Sequence, residues 1–124
     1  MLETERVNAT FADARLLYDD ALEQLEAGKL RNAAEKASGA TKRATDALIL
    51  ARTGEEPRTA GRTLRELRRA DSAFDSLEGR YNTRANVLHG ECFYDGNCEP
   101  EDVLARDVRE TLDYIRDAEA LARV

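Results

Sequence analysis

The residues able to do chemistry crowd into one stretch, Arg80 to Cys98, which holds the sole histidine, both cysteines and two of the four tyrosines. Arg84 and His89 stand five apart there in an R-x4-H pattern. An imidazole titrating near its usual ~6.5 can take a proton from a hydroxyl and return one. A guanidinium beside it can grip a phosphate in two places and stabilise the charge that builds in the transition state. Together the two groups suffice for metal-free cleavage of RNA through its own 2′-hydroxyl. Helical geometry sets an obstacle, because five residues of α-helix turn through ~500° and leave the side chains about 140° apart. Asn82 and Asn86, seven and three residues before His89, lie nearer to it around such a helix. Arg84 reaches His89 only through its length, through a helix end near Gly90, or across a second subunit.

A second constellation is basic. Arg58, Arg62, Arg65 and Arg69 follow at spacings of four, three and four, one stripe if the segment is helical, with Leu64 and Leu67 opposite. With Arg80 they are the candidate RNA-binding residues, a track for phosphates. The plainer reading of such a stripe is a solvated face, or one paired with acidic neighbours. His89, Cys92 and Cys98 carry zinc-type ligand atoms, but a closed structural site takes four and the paired C-x2-C spacing is absent. No metal and no cofactor is therefore expected. Two cysteines six apart make no disulfide framework, and two free thiols are the default in a reducing compartment. A disulfide across the turn is sterically feasible and calls for an oxidising setting.

The elements that must position these groups read as helices. The chain of 124 residues fits a single domain, residues 1–124, and 35% charged residues with no Trp and two Pro suit a helical protein with a modest core. Val7, Phe11, Ala14, Leu17 or Tyr18, Ala21 and Leu25 form one apolar stripe that Gly28 ends. Ala33, Ala37, Ala40, Ala44, Ala47 or Leu48, and Ala51 form a second stripe of small residues, closed by Gly54 and Pro57. A third runs from Leu64 through Phe74, Leu77 and Tyr81 to Leu88, with a break expected near Gly79. After the turn signal Asp95-Gly96-Asn97, one last helix is expected from Pro100, with Leu104, Val108, Leu112, Ile115 and Ala118 on its buried side. Nothing alternates with period two. The expected fold is all-α, an antiparallel up-and-down bundle of four to five helices.

Charge bounds the partners. The net charge of −6 argues against a general nucleic-acid coat, but the chain is uneven. Residues 1–28 carry seven acids and two bases, and residues 99–124 eight acids and four bases, whereas 29–53 carry six bases and two acids and 58–69 five bases and one acid. A basic middle attracts phosphate over ~10 Å despite the acidic total, or simply neutralises the acidic ends on packing. Asp19, Asp20, Glu23 and Glu26 read as a solvated face. No apolar run approaches the ~20 residues of a membrane span and the first residues lack a signal-peptide core, so no membrane and a cytoplasmic location are expected.

With Arg84 and His89 flanked by helices in this order, the chain resembles the HEPN superfamily of small helical bundles. The histidine, Cys92-Phe93-Tyr94, a short turn and Glu99-Pro100-Glu101-Asp102-Val103 opening the last helix are similar to an archaeal PaREP-type branch associated with them, as is the Ala33-to-Ala51 helix with Glu35-Lys36-Ala37. The resemblance covers about residues 8 to 121. It implies a homodimer that binds RNA or a nucleotide and cleaves RNA without a metal, as in toxin–antitoxin or defence systems. In a non-catalytic reading the same surface pairs with a partner protein of the antitoxin or nucleotidyltransferase kind, or only with itself. Arg84 takes the arginine role, His89 the histidine role as general acid or base, and Asn86 or Asn82 orients it. One departure is that the active pattern usually has a polar residue just after the arginine, where this chain has Ala85. The alternative is a non-catalytic protein-interaction or nucleotide-binding module.

Overall fold

Two glycines in the left-handed region, Gly28 (φ 73°) and Gly54 (φ 83°), cut the first half of the chain into long helices α1 (Leu2–Glu26) and α2 (Leu30–Thr53). A side chain at either position would strain the backbone, so the helices stop where the sequence places glycine. The Gly54 N–H closes the end of α2 on the Leu50 carbonyl. The computed structural model describes residues 2–123. Beyond the loop come α3 (Ala60–Ala70), a 3-10 turn at Ser72–Phe74, α4 (Asp75–Arg84), a π-helical segment (Ala85–Tyr94), α5 (Glu101–Arg109) and α6 (Thr111–Ala122). No strand occurs among the described residues, and the fold is an all-helical bundle.

Helix α2 is the centre, packing against α1, α3, α4, the π segment, α5 and α6. Its alanine stripe makes this feasible. Ala33, Ala34, Ala37, Ala40, Ala44 and Ala47 are fully buried and project one methyl each, so neighbouring helices can lie close on several sides. Helix α1 runs antiparallel to it, with Gln24 on Asn32, Leu17 on Gly39 and Asp13 on Arg43, partners receding in step from the Gly28 turn. Most of the larger side chains come from the partners, with Leu48 supplied by α2 itself. Phe11, Leu48, Leu64, Phe74, Leu77, Tyr114 and Ile115 fill one cluster, and Leu88, Cys92, Leu104 and Val108 a second at the other end of α2.

Three boundaries differ from the sequence expectation. The third stripe breaks at Asp71 instead of Gly79. The Asp71 backbone is extended and its carboxylate accepts from the Ala73 N–H, whereas Gly79 lies exposed inside α4 with nothing near enough to a Cβ to deform the helix. Arg58 falls before α3, after Pro57, so the helical arginine stripe begins at Arg62. The last helix is interrupted at Glu110 into α5 and α6. At the core between α2 and α6, the Tyr114 hydroxyl and the Thr45 hydroxyl lie 2.6 Å apart, both fully buried.

The close approach around α2 has a direct test. Ala40→Leu is expected to lower stability by about 1–3 kcal/mol, since the added methylenes have no space. Ala12→Leu, on the exposed side of α1, should stay within about 0.5 kcal/mol of the parent. Urea unfolding of both variants measures this, and an Ala40→Leu protein as stable as the parent would contradict the packing.

Candidate functional site

His89 sits on the π segment at the edge of a cleft of about 220 Å³, lined by Glu35, Ser38, Gly39, Thr41 and Lys42 of α2 and by Tyr81 and Ala85. Its side chain is 46% exposed, so solvent reaches the ring. Nδ1 lies 3.2 Å from the Glu35 carboxylate. A carboxylate only accepts, so Nδ1 is the donor, and the neutral form of the ring has its lone pair at Nε2. The orienting group is therefore Glu35, from the opposite helix, and neither asparagine named from the sequence. Asn82 donates to Glu78 over 3.0 Å, and Asn86 is exposed on the π segment. Glu35 is four residues before Gly39 on α2; its sequence signals are that it is an acid flanking the alanine stripe and that it opens the Glu35-Lys36-Ala37 part of the resemblance.

Phe93 and Tyr94 complete the surroundings of the ring. His89 stacks on Phe93 (centroids 5.9 Å, 24°) and meets Tyr94 edge-on (5.0 Å, 85°). The Tyr94 contact depends on the π turn, since Phe93, four residues on, shares the face of His89 in an α-helix as well. In π-helix the hydrogen bonds span five residues, as from the Asp95 N–H to the Gly90 carbonyl, and the wider turn brings residues four and five apart onto one face. Just beyond, Gly96 in the left-handed region (φ 73°) folds the chain back, and Cys98 comes over Cys92 with 4.4 Å between Cα atoms. The two form a disulfide, which corrects the expectation of free thiols. Arg31 of α2 fastens the same stretch by donating to the Phe93 carbonyl (2.9 and 2.5 Å) and the Tyr94 carbonyl (3.2 Å).

Arg84 does not enter the His89 cleft. It lines a larger one, of about 560 Å³, between α4 and the two last helices. Its Nε donates to the Thr41 hydroxyl over 3.1 Å, and one Nη donates to the Asp107 carbonyl over 3.1 Å and to the Thr111 hydroxyl. Burial, only partly offset by nearby Asp107, pulls the guanidinium below its ordinary value, though it remains charged at neutral pH. Asp107 and Thr111 flank the interruption between α5 and α6, so the guanidinium braces that break. Thr41 forms part of the His89 cleft as well, and is the wall that separates the arginine from the histidine. The larger cleft is poorly suited to a polyanion, because Asp75, Asp107, Glu110 and Asp113 outnumber Arg80 and Arg84 along it.

Most of the candidate RNA-binding arginines have acidic partners. Arg62 pairs with Glu66 at 3.7 Å, and Arg65 and, from outside the stripe, Arg68 converge on buried Glu78 at 3.4 and 3.0 Å. Arg80 binds Asp117 at 2.6 Å and lies over the Tyr114 ring. Arg58 and Arg69 are exposed and make no ion pair among the described residues. Exposed pairs such as Arg62–Glu66 are worth little in water and exchange readily for phosphate. The pair on Glu78 is of another kind. Burial pushes this carboxyl up, yet hydrogen bonds from Asn82, Arg65 and Arg68 outweigh it and hold Glu78 below the ordinary carboxylate value.

Against known families, residues 9–113 match the archaeal PaREP1/PaREP8 family, and the chain belongs to that family. No curated protein and no solved structure matches it. Among the described residues no helix is long and apolar enough to cross a membrane, and no group of three His, Cys, Asp or Glu is placed to hold a metal ion.

Two predictions follow from these charges. Arg84→Met should lower stability by about 1.5–3 kcal/mol by leaving Thr41, Thr111 and the Asp107 carbonyl without their donor, a loss visible in denaturant melts with no RNA present; an unchanged melt would return Arg84 to the pool of free cations. For Glu78, the folded value lies below the unfolded one. Its stabilisation is thus present at neutral pH and is lost as pH falls through the folded value. Glu78→Gln should be less stable than the parent at pH 7 and lose less on acidification, whereas parallel stability–pH curves would show that the pairing contributes nothing.

Proposed function

We propose that the protein is a HEPN-like RNA-binding bundle that acts as a homodimer and cleaves RNA without a metal at the His89 cleft. The observation that carries this reading is His89 itself, half exposed, with Nδ1 held by Glu35 and no partner for Nε2 among the described residues. Such an imidazole can remove the proton of a 2′-hydroxyl and deliver one to the leaving oxygen. Glu35 fixes its tautomer and stabilises the imidazolium between the two steps. Lys42, which lines the cleft, is the cation there for a phosphate, after exchange from Asp46, which it meets at 2.9 Å. Asn86 and the exposed arginines Arg58, Arg62 and Arg69 are left to hold flanking strand, and Arg65 and Arg80 do so only on leaving Glu78 and Asp117. Arg84 enters as a positioning residue, because its Nε and one Nη already serve Thr41, Asp107 and Thr111. In the homodimer a two-fold axis beside the π segment brings a second His89 to the same groove.

The second reading is a non-catalytic nucleotide-binding or protein-interaction module. It is favoured by Ala85, where the active pattern has a polar residue, and by the engagement of Arg84 in the fold. Cleavage of a single-stranded RNA in EDTA separates the two. The enzyme reading predicts that His89→Ala slows cleavage about 10²–10⁴-fold, that Glu35→Gln slows it less with KM unchanged, and that both variants keep the parent's melting curve. Equal residual cleavage in parent and His89→Ala would leave the binding module.

A further inference from the structure

The His89 cleft is too small for the substrate it is proposed to serve. Ligand sites run from about 300 to 1,000 Å³, and this one measures about 220 Å³. It can take a phosphate and part of a ribose, and the base must lie outside it. What adjoins the cleft on the His89 side is a cluster of three rings. Tyr94 is 68% exposed, one of two large apolar side chains so exposed among the described residues, and it packs edge-on to both His89 and Phe93 (5.6 Å, 74°).

An exposed tyrosine on a loose loop would carry little meaning, but this one is fastened at each side. Arg31 donates to the Tyr94 carbonyl and to that of Phe93. The Cys92–Cys98 disulfide closes the turn immediately around it, with Cys92 fully buried in the second core cluster. The backbone that presents the ring is therefore ordered before any ligand arrives, which lowers the entropy cost of using the ring as a contact surface. Aromatic faces accept any base, and stacking is the usual way that proteins hold unpaired RNA. A paired base is already stacked in its duplex and cannot reach the ring.

We propose that Tyr94, set against His89 and Phe93, is a stacking shelf for an unpaired nucleobase, and that the substrate of the His89 cleft is single-stranded RNA. The inference rests on the functional reading above and names its substrate class. With the base on Tyr94, the sugar of the same nucleotide falls toward His89 and its phosphate toward Lys42. Glu91, Asp95 and Glu99, close in the chain, oppose a polyanion, and Arg31 is engaged on the Phe93 and Tyr94 carbonyls, so this contact rests on stacking and not on attraction of phosphate.

The test is fluorescence anisotropy with a labelled 2′-O-methyl oligoadenylate, which cannot be cleaved, and with the same strand annealed into a duplex, on the intact disulfide-bonded protein. The parent should bind the single strand more tightly than the duplex. Tyr94→Ala should weaken single-strand binding roughly five- to hundredfold, while Tyr94→Phe and Tyr94→Trp retain it. Because the side chain is exposed, all three variants should melt like the parent. Unchanged affinity in Tyr94→Ala, or a duplex bound as tightly as the strand, overturns the shelf. The two proposals fail separately. Cleavage that needs His89 but ignores Tyr94 leaves the enzyme without the shelf, and Tyr94-dependent strand binding without cleavage leaves the shelf without the enzyme.

Discussion

A helix that presents alanine to nearly every neighbour is the constraint on which this molecule depends. Six alanines of α2 are fully buried, and they let α1, α4, the π segment, α5 and α6 lie against one rod. Small side chains contribute little apolar area of their own, so the packing energy comes from the partners' Phe11, Phe74, Leu88, Tyr114 and Ile115 pressing onto a nearly flat surface. The same closeness places polar groups. Glu35, Thr41 and Lys42 lie on the edges of that face, and each meets a group from elsewhere in the chain or lines the cleft beside it.

Electrostatics in the bundle divides by depth. Arginines that reach inward are fixed: Arg84 braces the break between α5 and α6, and Arg65 and Arg68 neutralise the buried carboxylate of Glu78. Removing one member of such a set strands the other in a poorly solvated place, so these charges belong to the fold. Arginines at the surface, Arg58, Arg62 and Arg69, remain exchangeable. The basic middle of the chain is thus partly spent on its own acids, the neutralising alternative that its composition left open, and only a remainder is available to phosphate.

The π segment is where fold and site meet. An α-helix would carry Tyr94 far around the rod from His89, five residues before it. The wider turn puts His89, Phe93 and Tyr94 in mutual contact, and the disulfide and Arg31 hold the end of that turn. π turns are uncommon and occur often at functional positions, and here one supplies both the exposed imidazole and its aromatic surroundings.

Helical period, the glycine stops at 28 and 54, the turn at Gly96, the buried stripes and the solvated acids of α1 were all legible in the residues, because each follows from local geometry and from which faces can meet water. The sequence also singled out the Arg80–Cys98 stretch. It could not tell that Arg84 and His89 would be parted by Thr41, that Glu35 would hold the imidazole, or that Cys98 would return to Cys92. The first two depend on which residues of α2 face the π segment, fifty-odd positions away in the chain for Glu35 and His89, and such registers are fixed by packing of whole helices. The third depends on a turn whose reach is decided by a π-helical end that no local propensity announces. Local periodicity determined the helices; only their mutual packing decided which charges became structure and which stayed open to a ligand.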